Sequence, residues 1–164
     1  MSEPNELFKH TRTHIMEVVN NIPHCKQLGI KAVEASPGCL KLALIYSEKI
    51  IGNPDNKVVH GGALTTLMDT ACGFAAVLGL NEPTIAPTLD LRIDYMRSAT
   101  PNKTIIGEAE VYRVTPSVIF TRGTAYHEDA IDKPIAHCTA SFMRISPEAK
   151  AAEEERKAKE QVGS

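Results

Sequence analysis

Tryptophan is absent from this chain and other aromatics are scarce, with four Phe and four Tyr in 164 residues. Composition therefore gives no preference between aromatic and alkyl ligands. Neither sign of charge dominates, with 18 Lys and Arg against 20 Asp and Glu. The net charge of -2 supplies no basic face for non-specific nucleic-acid binding. No apolar run is read as membrane-spanning, and the N-terminus shows no signal-peptide apolar region, so neither a membrane nor a nucleic acid is an expected partner. Cys25, Cys39, Cys72 and Cys138 are scattered without C-x-x-C spacing. They read as reduced thiols in a cytoplasmic protein. There is no internal repeat, and the length suits one domain with a real core.

What is present centres on residues 60–80. Leu64, Leu67, Met68, Ala71, Ala75 and Leu78 recur at three- and four-residue steps, the stripe of an apolar helix face. The opposite face carries Gly62, Thr65, Thr66, Asp69, Gly73 and Ala76, and Asp69 is the only Asp, Glu, Lys or Arg from His60 to Leu80. A helix without a charged face is expected to be buried on both sides. A lone carboxylate there must be paired, hydrogen-bonded or used.

The helix opens on His60-Gly61-Gly62. Glycines at a helix start let a ligand approach free backbone N–H groups at the positive end of the dipole, which suits a carbonyl oxygen gaining charge. Asp69 lies eight residues beyond Gly61, or ~12 Å along the axis. One chain cannot bring both to one carbonyl. Two antiparallel helices about a two-fold axis would, so the spacing asks for a dimer.

The remaining chain is read in order. Residues Asn5 to about Asn20 form a helix; His10 and His14 share one side of it but lack a supporting third ligand, and no metal site is assigned. Leu28–Ala35 and Cys39–Ser47 are strands joined by Ser36-Pro37-Gly38, and Glu48–Val59 is a loop long enough to be functional. Asn81-Glu82-Pro83 ends the central helix. In the segment after it, Leu89, Leu91, Ile93 and Tyr95 alternate with Thr88, Asp90, Arg92 and Asp94, the clearest period of two in the chain. Thr104–Val114, Val118–His127 and Ile135–Ile145 complete the strands, and their short connections favour an antiparallel meander. The tail from Pro147 reads as a solvent helix with Glu153–Lys157 and Glu155–Lys159 pairs. The class is α+β, with about six antiparallel strands wrapped round one long central helix.

Gly52-Asn53-Pro54, Val59-His60-Gly61-Gly62, Leu67-Met68-Asp69 and the Thr88–Tyr95 strand, in this order, resemble the hotdog-fold thioesterases of the PaaI-like group. The resemblance covers roughly Gln27 to Ile145. It implies a hotdog domain over 27–146, preceded by a helix and lead-in at 1–26 and followed by a charged tail at 147–164. It implies an acyl-CoA substrate, no cofactor beyond the coenzyme A that the substrate carries, and a dimer or dimer of dimers. Asp69 matches the helix carboxylate acting as general base or nucleophile, and the Gly61 N–H the oxyanion-hole donor. His60 matches the histidine beside that donor. Asn53 looks like the loop asparagine that holds the water or carboxylate, although it stands seven residues before His60 where some members have six. Thr88 resembles a strand hydroxyl that orients water. Coenzyme A would meet Tyr95, Met96, Arg97, Ser98, Ala99 and Thr100, and the turn Arg113, Val114, Thr115, Pro116, Ser117 and Val118. Arg97 and Arg113 would face its phosphates.

Plainer readings stand beside these. Asp69 is also suited to capping a neighbouring backbone, His60 to a buried structural role, Thr88 to ordinary strand packing, and Arg97 and Arg113 to solvated surface charge. His127 and His137 read as structural, and Cys72 lacks the histidine a nucleophilic thiol needs. A hotdog hydratase or dehydratase and a non-catalytic acyl-CoA-binding protein remain as alternative functions.

Overall fold

The computed structural model describes residues 6–80 and 84–145. Two helices lead in, α1 (Glu6–Asn21) and α2 (Pro23–Leu28), the second closed by Gly29 at φ 77°. That left-handed cap suits glycine. Strands β1 (Ile30–Ser36) and β2 (Cys39–Leu44) form a hairpin through Gly38, also at positive φ. The long loop is partly ordered, since β3 (Ile51–Asn53) and β4 (Val58–Val59) pair as a small second sheet. Helix α3 (Gly61–Leu80) follows, then β5 (Thr88–Tyr95), β6 (Ile105–Val114), β7 (Val118–Tyr126) and β8 (Ala136–Met143). The tail lies outside the described residues, as do residues 81–83 and the ion pairs expected at Glu153 and Glu155.

The main sheet is antiparallel throughout, in the order β1-β2-β6-β7-β8-β5. This is the hotdog arrangement, α+β with α3 packed across the sheet. The antiparallel meander expected from short connections holds for β6, β7 and β8 and is corrected for β5. Only β6, β7 and β8 run as one, because α3 carries the chain across the sheet and delivers β5 to the far edge beside β8. Residues 96–104 then return it to the middle, next to β2. Buried His127 clamps that return, its Nε2 accepting the Thr100 N–H at 2.9 Å and its Nδ1 donating to the Thr104 carbonyl at 2.8 Å. Both ring nitrogens are thus used structurally.

Leu64, Leu67, Met68, Ala71, Cys72, Ala75 and Leu78 meet the sheet in one core, which also takes Ile15, Val19 and Cys25 from the leading helices. Each large apolar side chain buried there contributes roughly 1.5–3 kcal/mol. The other face of α3 is only half-buried at Thr65, Thr66, Asp69, Gly73 and Phe74. It is not covered on both sides within this chain. One further expectation is corrected. At twenty residues and a mean hydropathy of 1.5, α3 is long and apolar enough to cross a membrane. Its burial against the sheet makes it the core helix here.

Gly107 and Gly123 let α3 come close to the sheet. A Cβ on Gly123 would stand 3.0 Å from the Glu108 carbonyl oxygen and 2.6 Å from Met68 Cε, and one on Gly107 would stand 2.8 Å from Leu67 Cγ. Gly123→Ala is therefore expected to destabilise the fold by about 1–3 kcal/mol through overpacking. A urea midpoint equal to wild type would contradict this.

Candidate functional site

Asp69 faces away from the sheet, on the half-buried side of α3. Its Oδ1 accepts a hydrogen bond from Thr88 Oγ1 at 3.0 Å, across 19 residues of sequence. The pair exists because β5 runs antiparallel to α3, setting the start of the strand against the middle of the helix. Both residues line a cleft of about 350 Å³ whose other walls include Ile22, Phe74, Val77, Ile85 and Phe142. A carboxylate at an apolar cleft can activate a water or attack an electrophile directly.

Gly61 sits at the other end of the machinery. Its carbonyl accepts from Tyr95 Oη and Thr65 Oγ1, each at 3.1 Å, and those hydroxyls lie 2.8 Å apart. Exposed His60 accepts the Gly62 N–H on Nδ1 at 2.9 Å, while its own carbonyl takes the Ala63 N–H. His60 therefore caps the helix, and the expected buried structural histidine is instead an exposed one. The Gly61 N–H has no partner among the described residues. It is free to donate.

The two ends open separately. Gly61 borders a cleft of about 330 Å³ with Tyr95, Met96, Arg97, Ser98 and Ala99, and Asp69 is not on it. Thr100 lies beyond this cleft. The Arg97 guanidinium already donates to the Lys133 carbonyl through Nε at 3.0 Å and Nη2 at 2.6 Å. The second segment assigned to coenzyme A, Arg113 to Val118, forms the β6–β7 turn, closed by Thr115 Oγ1 on the Val118 N–H and carbonyl. Through β8 this turn belongs to the Thr88 end of the sheet, because Val118 pairs with Met143 and Thr88 with Phe142. Tyr95 pairs with Ala136 at the opposite end. The two segments are separated by the length of β8, roughly 25 Å. Exposed Asn53 does not meet Asp69 within this chain. Its Oδ1 accepts the Asp55 N–H at 2.9 Å in a local turn.

Cys72 follows Asp69 by one turn but points to the core, with its Sγ 3.5 Å from that of Cys138. The contact with Cys72, together with burial, pushes the Cys138 thiol up. Both thiols are buried, so the pair is part of the core and not an accessible nucleophile. Tyr95 was assigned to coenzyme A, but its hydroxyl contact with Gly61 and Thr65 was not foreseen. Phe74 and Val77 carry no sequence signal of a site, since an apolar side chain at a helical spacing reads as core, and Ile85 lies in the connection between α3 and β5.

Residues 56–132 match the profile of the thioesterase superfamily. A candidate esterase of Halobacterium salinarum is 38% identical over 56% of this chain, a match spanning 61% of that relative's length. A medium/long-chain acyl-CoA thioesterase of Salmonella typhimurium is 25% identical over 76% of this chain and 87% of its own. Among solved structures, a Pseudomonas aeruginosa protein superposes with a TM-score of 0.70 at 51% identity, covering 84% of this chain and 98% of its own. The Escherichia coli PaaI protein of the phenylacetic acid degradation operon superposes at 0.73 with 20% identity, covering 85% and 96%. The last shows a PaaI-like fold.

The cap at His60 can be tested directly. His60→Ala is expected to cost about 0.5–2 kcal/mol, and His60→Asn, which can accept the same N–H, to recover most of it. Equal thermal midpoints for the two variants would contradict the capping role.

Proposed function

We propose that this chain, which matches the thioesterase superfamily over residues 56–132, hydrolyses an acyl-CoA thioester to the free acid and coenzyme A. The observation that carries this reading is the Thr88–Asp69 hydrogen bond at an apolar cleft, on a helix with no other charged residue. Asp69 acts as general base on a water, with Thr88 fixing the orientation of the carboxylate. The Gly61 N–H receives the negative charge developing on the thioester oxygen. Collapse of the tetrahedral intermediate expels the coenzyme A thiolate. No resident cofactor is required. The hydratase alternative needs a histidine beside the carboxylate, and none hydrogen-bonds Asp69 among the described residues.

Each active site is formed by two chains. Asp69 and the 113–118 turn belong to one end of the sheet, while Gly61 and residues 95–99 belong to the other. A two-fold axis relating two antiparallel α3 helices pairs both sets at once and brings Asn53 towards the partner's carboxylate. The free edge of β5 supports the same assembly. Leu89 is 51% exposed and Tyr95 53% exposed there, and an unpaired strand edge invites another strand.

Asp69→Ala is expected to keep its fold and lose about 10²–10⁴ in kcat, read as thiol release from acyl-CoA substrates. Near wild-type turnover by that variant would end the proposal.

Gly61→Pro removes the N–H while respecting the first helical position. It is expected to be nearly inactive alone, and mixing it with Asp69→Ala should restore up to about a quarter of wild-type activity, since each mixed dimer keeps one intact site. No recovery despite demonstrated subunit exchange would refute the shared site. In H₂¹⁸O, a single turnover by the general-base route labels only the released acid. Label in the Asp69 peptide would instead establish direct attack through an anhydride.

A further inference from the structure

The Asp69 cleft does not end at Phe74. A second cavity of about 560 Å³ shares Phe74, Val77, Thr84 and Ile85 with it and continues beneath α1, where Ile15 and Val18 form the apolar part of a wall that also includes Thr11 and His14. The two volumes make one apolar groove along α3, from the carboxylate to the leading helix. Ile85 roofs the shared part and is 70% exposed.

Resting on the thioesterase reading, the geometry points to α1 as the distal wall of the acyl site, selecting a straight alkyl chain of medium length. From Asp69 to Val77 the groove follows eight residues of α3, about 12 Å. An extended chain advances roughly 1.2 Å per bond, so about ten carbons bring its end to Val77 and onto Val18. An acetyl or phenylacetyl group would stop within the first cavity and leave the α1 wall untouched. Each methylene buried along the groove strengthens binding about fourfold, which gives a longer chain its advantage. Val18 and Ile85 are thus specificity-determining residues, remote from the reacting carbonyl.

The test is kcat/KM across straight-chain acyl-CoAs from acetyl to hexadecanoyl, with phenylacetyl-CoA alongside, for wild type, Val18→Phe and Ile85→Asn. Neither substituted residue is fully buried, and thermal midpoints confirm that the variants fold. Wild type is expected to rise to an optimum near decanoyl, and each variant to lower the decanoyl-to-butanoyl ratio at least tenfold. Binding of a non-hydrolysable decanoyl-CoA thioether to Asp69→Ala should weaken correspondingly with Val18→Phe. If wild type hydrolyses acyl-CoAs but prefers acetyl or phenylacetyl, or if both variants keep its chain-length profile, the α1 wall is refuted and the thioesterase reading stands. If the folded wild type releases thiol from none of the substrates, the thioesterase reading falls and the inference with it.

Discussion

A helix that carries one charge in twenty residues must be enclosed, and this requirement organises the molecule. The sheet encloses the Leu64–Leu67–Met68–Ala71 side, with Gly107 and Gly123 removing the side chains that would hold the helix away. The second side is built from glycine, threonine and one aspartate, and the chain covers it only in part. Thr65 and Thr66 spend their hydroxyls on the Gly61 and Gly62 carbonyls one turn back, so they need no outside partner. Among the described residues, Asp69 is anchored by Thr88 alone. The half-buried surface around it is apolar enough to bind a hydrocarbon and polar enough to hold a water.

The division of the site follows from chain direction. Helix α3 and strand β5 are antiparallel, so every group near the helix start is matched with Tyr95 and every group near its middle with Thr88. Side-chain adjustment cannot close a separation of two helical turns. In the proposed two-chain site, a second copy related by a two-fold axis would reverse the direction and close it without any internal movement. It would also cover the edge of β5, where Leu89 and Tyr95 are exposed in one chain.

Much of this was legible in the sequence, for identifiable reasons. The stripe in residues 60–80 gave α3 to within one residue, and strict alternation placed β5. The isolation of Asp69 marked it before any fold was known. Strand order was not legible, because a period of two identifies strands but not neighbours. It took the crossing of α3 to put β5 beside β8. The β3–β4 pair was missed because a two-residue strand has no period to detect. The groove under α1 was missed for the opposite reason: Ile15, Val18, Phe74 and Val77 have the spacing of ordinary core residues. Only their packing leaves an opening between them.

The proposed oxyanion donor, the Gly61 N–H, is singled out by elimination. At the start of α3, the Gly62 N–H goes to the His60 ring and the Ala63 N–H to the His60 carbonyl. His60 donates its own N–H to the Ile50 carbonyl at 2.8 Å, which ties the residue to the segment preceding β3. Gly52 is what allows that approach, since a Cβ there would lie 2.8 Å from His60 Cα. Tyr95 and Thr65 hold the Gly61 carbonyl from the other side. The neighbouring N–H groups of His60, Gly62 and Ala63 are thereby satisfied, whereas the Gly61 N–H has no partner among the described residues, and the surrounding hydrogen bonds hold its peptide plane in place. A donor fixed in this way needs no reorganisation when charge develops on a substrate oxygen, which is where preorganised donors gain their advantage over water.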